Sequence, residues 1–421
     1  MTAPETPEAR PLGDGRNAAA VDRPETVEAL REVVARRVAQ GHAIYPQGGR
    51  TALDYGGIPR APGVAIETRA LDRIIDYPAA DMTITVEAGL TLAALRATLS
   101  EHNQRLPLDA PFPDRATLGG IFACNASGPR RFGAGRPRDL ILGVSAVTAD
   151  GKLVKGGGRV VKNVAGYDLP KLFTGSLGTL GVIAQMTLKV RPKPEAAAIA
   201  CVALPDAGAV AAALVGLNTS ATRPVAVELL NAPAARVVLA DRASPPAGGG
   251  CSLVVGFEDN AASVAWQVDQ LLKELGRPRE DAIRFEGSAA DPVWSALADF
   301  QAAEVGPLTL VAGLRRSQVG PFVAALEPAG WAVQAHAGSG IVHALALPGR
   351  ELEALAVEVD RLRASAARSG GYVILSRCPT AWKDRLRVWG DPRPDWALAE
   401  KVKRALDPGG VMNPGRFIGT I

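Results

Sequence analysis

Cysteine is scarce in this 421-residue chain, and the four present, Cys124, Cys201, Cys251 and Cys378, stand far apart with no Cys-x-x-Cys pair. Iron–sulfur clusters, structural zinc sites and disulfide frameworks need cysteines at close or regular spacing, so the pattern argues against all three. A reducing, cytoplasmic setting fits such usage. Long apolar runs are missing too. The longest, Ala207–Leu217, is too short to cross a bilayer, so any membrane association is expected to be peripheral and through partners. Residues 1–20, rich in Pro, Glu, Ala and Arg, hold no apolar segment of the kind a secretory signal requires. Basic residues exceed acidic ones by only four, 47 against 43, and are spread along the chain. Nucleic-acid binders concentrate such charge in a stripe or a known motif, and neither is found. No internal repeat is found.

What is present describes a globular protein: 47% hydrophobic and 21% charged residues, with length for two or three domains. Asp22-Arg23-Pro24-Glu25 opens a helix that Gly41 closes, with Val27, Leu30, Val34 and Val38 at helical spacing. Strands are expected at His42–Pro46, Val64–Glu67, Arg73–Tyr77 and Thr83–Glu87. A helix from Thr91 should bury Leu92, Leu95 and Leu99. Asp150-Gly151 marks a hairpin between Ile141–Ala149 and Lys152–Lys155, and Val182–Val190 is a further strand. After the stiff Arg191-Pro192-Lys193-Pro194 linker, helices and strands alternate, and Asp395–Ala405 reads as a last helix.

Glycine carries the chemistry. Pro46-Gln47-Gly48-Gly49-Arg50-Thr51 follows an apolar strand, and Thr117-Leu118-Gly119-Gly120-Ile121-Phe122-Ala123-Cys124-Asn125-Ala126-Ser127-Gly128 comes later. The chain ends through Asp407-Pro408-Gly409-Gly410-Val411-Met412-Asn413-Pro414-Gly415-Arg416. Adjacent glycines let several amide N–H groups converge on one anion, because no Cβ blocks the approach. Two such segments and an Asn-Pro-Gly tail point to a large flat cofactor with a pyrophosphate in its middle. No helix opens directly on the first glycines, which excludes a GxGxxG dinucleotide loop.

These segments resemble the vanillyl-alcohol oxidase-type (PCMH) FAD-binding family. The resemblance implies an α+β fold: a PCMH-type two-subdomain FAD-binding domain, a smaller α+β cap domain, and a C-terminal segment returning to the FAD domain. The expected boundaries are a disordered leader at 1–16, the FAD domain at 17–194, the cap at 195–394 and the returning segment at 395–421. Pro46, Gln47, Gly48, Gly49, Arg50 and Thr51 would form the pyrophosphate loop, with Arg50 where the family has Asn. Thr117, Gly119, Gly120, Ala123, Asn125 and Ser127 would lie along the pyrophosphate and isoalloxazine. Gly181, Val182, Ile183 and Asn413 complete the cofactor-binding set. Some members carry a loop histidine bonded covalently to the flavin. None stands in this loop, and His42 before it packs at a strand start, so non-covalent FAD is expected. The arginines that follow, Arg130, Arg131, Arg136 and Arg138, read mainly as a solvated loop, the alternative being steering of an anionic substrate or an acidic partner.

Lys162-Asn163-Val164-Ala165-Gly166-Tyr167-Asp168-Leu169 and Thr174-Gly175-Ser176-Leu177-Gly178-Thr179-Leu180-Gly181 are similar to the same region of 2-hydroxyacid dehydrogenases in this family. There the glycines let the backbone approach the adenine side, and Asp168 would cap the next helix. Those enzymes usually carry Glu where this chain has Leu177, a departure similar to that of the FAD-binding subunits of bacterial glycolate oxidases. His336-Ala337-Gly338-Ser339-Gly340-Ile341-Val342-His343 resembles the family's His-x-Gly-Asp-Gly-Asn-x-His, whose histidines help bind a divalent metal completed by a later Glu-His-Gly. Ser339 and Ile341 replace Asp and Asn here, and no Glu-His-Gly follows. Two neutral imidazoles without a carboxylate make a poor site for a hard metal, so none is expected.

The resemblance therefore implies an FAD-dependent subunit acting on glycolate or another small 2-hydroxyacid. Its partners would be a homologous catalytic flavoprotein and an iron–sulfur subunit. A self-sufficient D-lactate or 2-hydroxyacid dehydrogenase and a non-catalytic scaffold are the alternatives. His336 or His343 would be the base, and Arg315, Arg316 and Arg377 are candidates for the arginine that clamps the substrate carboxylate. Because the carboxylate that should complete the histidine site is missing and Ser339 and Ile341 replace the polar residues beside it, the chain alone is expected to oxidise glycolate or D-lactate poorly or not at all. The alternative for His336 and His343 is strand packing.

Overall fold

The computed structural model describes residues 11–60, 62–158, 167–240, 250–327, 330–419 and 421. Lys162–Gly166 of the dehydrogenase-like stretch lies outside the described residues, as does most of the leader.

The first helix runs Val27–Ala39 and buries Leu30 and Val34. Its cap is Thr26, whose hydroxyl accepts from the Ala29 amide at 3.1 Å, so the helix starts later than Asp22-Arg23-Pro24 suggests. Asp22 instead ends the strand Ala20–Asp22 and pairs with Arg37 at 2.7 Å. That strand, Gly63–Glu67 and Ala43–Gln47 make a parallel three-stranded sheet with Gly63–Glu67 in the middle. A five-stranded antiparallel sheet follows, in the order Leu153–Gly157, Ile141–Val147, Val182–Lys189, Thr83–Glu87, Ile74–Asp76. Successive side chains of a strand point to opposite faces. Val182 and Ala184 accordingly join the core around Leu30 and Ile44 and Ile183 joins the core around Leu92, Leu95 and Leu99, while a register irregularity between Ile183 and Gln185 turns Met186 to that second core as well. One strand thus ties the two subdomains together.

The cap is built on an eight-stranded antiparallel sheet, the widest among the described residues. Its order is Ala282–Glu286, Ala196–Leu204, Cys251–Asp259, Ala226–Asn231, Trp331–His336, Ile341–Ala346, Thr309–Gly313, Tyr372–Arg377. One face buries Val227, Leu229, Val333 and Ala335 beneath the helices Ala207–Asn218, Ala261–Glu274, Val319–Leu326 and Leu352–Arg368. The other buries Ala226, Leu230, Ala332 and Leu345 beneath Ala232–Leu239 and Asp291–Asp299. Glu228, Gln334 and His336 share the second face by strand alternation.

The helix Trp396–Leu406 leads the chain back to the first domain. Buried Lys403 donates to the carbonyls of Thr179 (2.7 Å) and Met412 (2.8 Å), and the Asn413 amide donates to Ile44 O at 2.8 Å. Within the leader, Pro11–Gly13 and Arg16–Asn17 form a hairpin over Asp14-Gly15, where the sequence suggests disorder. A buried carboxylate holds it in place. Asp14 pairs with Arg416 at 2.7 Å and Lys383 at 2.6 Å, two cations supplied from the other end of the chain.

Candidate functional site

Four segments distant in sequence meet at the C-terminal end of the strand Ala43–Gln47. A Cβ on Gly48 would overlap Thr117 Oγ1, and one on Gly49 would overlap the Arg115 carbonyl, so the two glycine segments are in contact. Asn413 Nδ2 donates to Leu177 O, the Leu177 amide to Ala123 O (2.9 Å) and the Gly175 amide to Phe122 O (2.9 Å). These bonds bring the tail and the 175–181 turn onto the second glycine segment. Arg50, Asn125, Leu177 and Asn413, one from each segment, hold left-handed backbone angles of +45° to +56°. Such angles cost energy in non-glycine residues and gather at ligand clamps.

The second glycine segment is a helix rather than a loop at its start. Thr117 caps Leu118–Cys124, its hydroxyl accepting from the Gly120 amide at 3.4 Å. Glycine suggests loop from composition alone, but here Gly119 lets the helix pack on Ala88, and Gly120 stays open. A Cβ on Gly120 would meet only Thr117 Oγ1, at 3.3 Å.

Side-chain roles divide. Gln47 is buried and spent on structure: Nε2 donates to Pro11 O at 2.7 Å, and Oε1 accepts from Arg50 Nε at 3.1 Å. Arg50 also pairs with Glu67. Ser127 accepts from Arg131 at 2.9 Å, and its carbonyl accepts from Gln301 at 3.1 Å. Val182 and Ile183 are core residues with only backbone to offer. Asp168 caps Leu169–Phe173, accepting from the Lys171 amide at 3.2 Å.

The arginine run is not uniformly a solvated loop. Arg136 and Arg138 are exposed. Arg130 instead bridges the domains: it pairs with Asp109 (2.8 Å) and Glu258 (2.7 Å) and lies 3.9 Å above the Trp294 ring. Burial opposes its charge, and the two carboxylates more than restore it, holding the guanidinium above its ordinary range. Arg131 is half-buried beside it, and burial lowers its pKa.

On the cap face turned to this domain, His336 Nδ1 lies 2.7 Å from Glu228 Oε2, both side chains being almost fully buried. Gln334 Nε2 also donates to Glu228 Oε2, at 2.8 Å. A carboxylate oxygen can only accept, so in the neutral imidazole the proton is on Nδ1 and the lone pair on His336 Nε2. Glu228 is the residue that sequence reasoning missed. Its strand is paired with that of His336 across 108 residues, and a lone Glu between Val227 and Leu229 gives no local signal. The His336 and His343 rings meet edge to face at 5.1 Å. His336 Nε2, His343 Nδ1 and Glu228 Oε1 are buried without hydrogen-bond partners among the described residues. Buried polar atoms are rarely left so, and a bound group is one way to satisfy them. No cluster of three or more metal-ligating side chains forms among the described residues.

Burial, then His336 and Arg131, hold the His343 pKa well below its ordinary 6.5. The folded chain therefore declines a proton that the unfolded chain takes up below pH 6.5. Stability from this group is complete above that pH and falls as pH drops below it, by about 1.4 kcal/mol per unit. His343→Gln should flatten the decline of denaturation midpoint between pH 6.5 and 5, and an unchanged slope would contradict the assignment.

The residues suit FAD. Amides 49, 50 and 51 donate to no group among the described residues, as a pyrophosphate cradle requires. Burial pushes the thiol of Cys124, at the same place, up to about 11, leaving little thiolate.

Comparison with known proteins agrees with this geometry. The FAD binding domain family matches residues 18–157, and the FAD linked oxidase C-terminal domain family matches 193–307 and 391–417. The histidine strands fall between the matched stretches. Glycolate oxidase subunit GlcE of Escherichia coli is 37% identical over 170 residues, 40% of this chain and 48% of that protein. D-2-hydroxyglutarate dehydrogenase of Xanthomonas citri is 34% identical over 190 residues, 45% and 40% of the two chains. Glycolate oxidase subunit GlcD of Bacillus subtilis is 36% identical over 153 residues, 36% and 32%. The matches thus span half or less of these relatives. A solved alkyldihydroxyacetonephosphate synthase superposes with a TM-score of 0.65 at 17% identity, covering 95% of this chain and 76% of its own, and so shares the fold. No helix among the described residues is long and apolar enough to cross a membrane. With the FAD binding domain matched over 18–157 and the FAD linked oxidase C-terminal domain over 193–307 and 391–417, the chain belongs to the PCMH-type FAD-linked oxidases, and FAD is its cofactor.

Proposed function

We propose that this chain is the FAD-binding subunit of a glycolate or related 2-hydroxyacid oxidoreductase, working with a homologous catalytic flavoprotein and an iron–sulfur subunit. The observation that carries the reading is the meeting of amides 49–51, the 117–128 segment and the Asn413 tail at one place. FAD, held there non-covalently, supplies the hydride acceptor for oxidation at the α-carbon. The chain's own residues place a proton acceptor: Glu228 holds His336 with Nε2 free to take the hydroxyl proton. Among the described residues no cysteine cluster offers an onward electron carrier, which favours an iron–sulfur partner.

A self-sufficient dehydrogenase is the second reading, favoured by Glu228, a carboxylate beside the histidines where the sequence motif alone lacks one. One preparation separates them. The purified chain should release all its FAD on acid precipitation, and anaerobic glycolate or D-lactate should bleach the flavin band only slowly until partner subunits are added. Flavin retained on the denatured chain would refute non-covalent binding. Fast bleaching by the chain alone would establish the second reading.

A further inference from the structure

Arg131 is a half-buried cation whose guanidinium, among the described residues, hydrogen-bonds only to Ser127 Oγ and pairs with no carboxylate. Its neighbour Arg130 holds two carboxylates, and Asp139 is taken by Arg136. A guanidinium withdrawn from water without a counter-ion is costly, and the cost is recovered when an anion arrives. The short helix Arg131–Ala134 is fixed against the cap at two points. The Phe132 ring lies on Gly338, in the turn between the histidines, where a Cβ would overlap it. The Gly133 amide donates to Val225 O at 3.0 Å, next to the strand that carries Glu228. The same helix thus sets a cation lacking an anion beside the histidine turn, with Arg131 opposing protonation of His343, and with His336 Nε2 and His343 Nδ1 buried and unpartnered among the described residues.

We propose that Arg131, contributed by the FAD domain, is the residue that binds the substrate's carboxylate while His336 meets the hydroxyl on the adjoining carbon. The proposal rests on the functional reading above. The arginines suggested by sequence fit less well. Arg377 is spent on the carbonyls of Ala303 (3.2 Å) and Gly306 (2.8 Å), and Arg315 and Arg316 are exposed. A guanidinium can meet a carboxylate with two parallel bonds, which a lysine cannot.

The test uses the FAD-loaded full chain titrated with oxalate, which has carboxylates but no α-hydrogen, followed by calorimetry and by the flavin band. Arg131→Gln should weaken oxalate by about tenfold or more, and Arg131→Lys by less. Arg138→Gln, at an exposed position, should titrate like the parent. Glycolamide, the uncharged analogue of glycolate, should bind no better to the parent than to Arg131→Gln. A chain that retains no FAD defeats the functional reading. Retained FAD with oxalate affinity unchanged in Arg131→Gln, or with no oxalate binding by the parent, overturns the carboxylate site. Where Arg131→Gln is too unstable to load, Arg131→Lys carries the test, and unchanged affinity counts against the site.

Discussion

Gly120→Val is expected to fold and to lose its flavin, whereas Gly48→Val is expected to damage the fold itself. The difference lies in what each new Cβ would meet. At position 48 it overlaps Thr117 Oγ1, so the two glycine segments must separate whether or not a cofactor is present. At position 120 a Cβ would meet that same hydroxyl, at 3.3 Å, and no other atom outside its own helix within 4 Å among the described residues. Position 120 is also helical, where even β-branched valine is favoured over glycine by a few tenths of a kcal/mol. A loss of FAD in this variant therefore reports on the ligand's space and not on the scaffold. Overpacking of about 1–3 kcal/mol corresponds to a roughly five- to 150-fold weaker affinity for FAD. Denaturation midpoints and flavin content after desalting read the two effects separately. Gly120→Val retaining full flavin would place the cofactor elsewhere, and Gly48→Val with an unchanged midpoint would contradict the contact between the segments.

Local pattern made the framework of the first domain legible. The strand Thr83–Glu87 and the helix that buries Leu92, Leu95 and Leu99 follow from period-two and period-3.6 spacing, and both are found where the spacing puts them. Pairing and burial were not legible. Arg130, Arg131, Arg136 and Arg138 look alike in sequence, yet only the first two sit against the cap, because docking of the cap sheet decides which of them is desolvated. Leader residues Pro11–Asn17 look disordered because they lack apolar periodicity. Their order comes from Asp14 meeting Lys383 and Arg416, more than 350 residues away. The candidate base shows the same limit most clearly. His336 and His343 were visible through their spacing, but Glu228 was not, because a cross-strand neighbour leaves no trace in the order of residues.

Glu228→Gln is the substitution that asks what this buried carboxylate does. As it stands, Oε2 accepts from both His336 Nδ1 and Gln334 Nε2, which fixes the imidazole tautomer and its direction. An amide of the same shape keeps the packing but offers donors as well as an acceptor, so it no longer requires the proton to stay on Nδ1. It also removes the negative charge that would steady His336 after it takes the substrate's proton. General-base catalysis contributes on the order of 100- to 10,000-fold, and an orienting carboxylate supports that gain through the histidine it holds. Flavin reduction by glycolate, measured in whichever preparation turns over, should therefore fall by roughly a hundredfold or more in Glu228→Gln. FAD retention and oxalate affinity should stay near those of the parent, since neither depends on which ring nitrogen bears the proton. His336→Ala should fall at least as far, and combining the two should add little, because both act through one imidazole. A rate unchanged in Glu228→Gln would leave the carboxylate a packing partner of the cap strands and remove His336 as the oriented base.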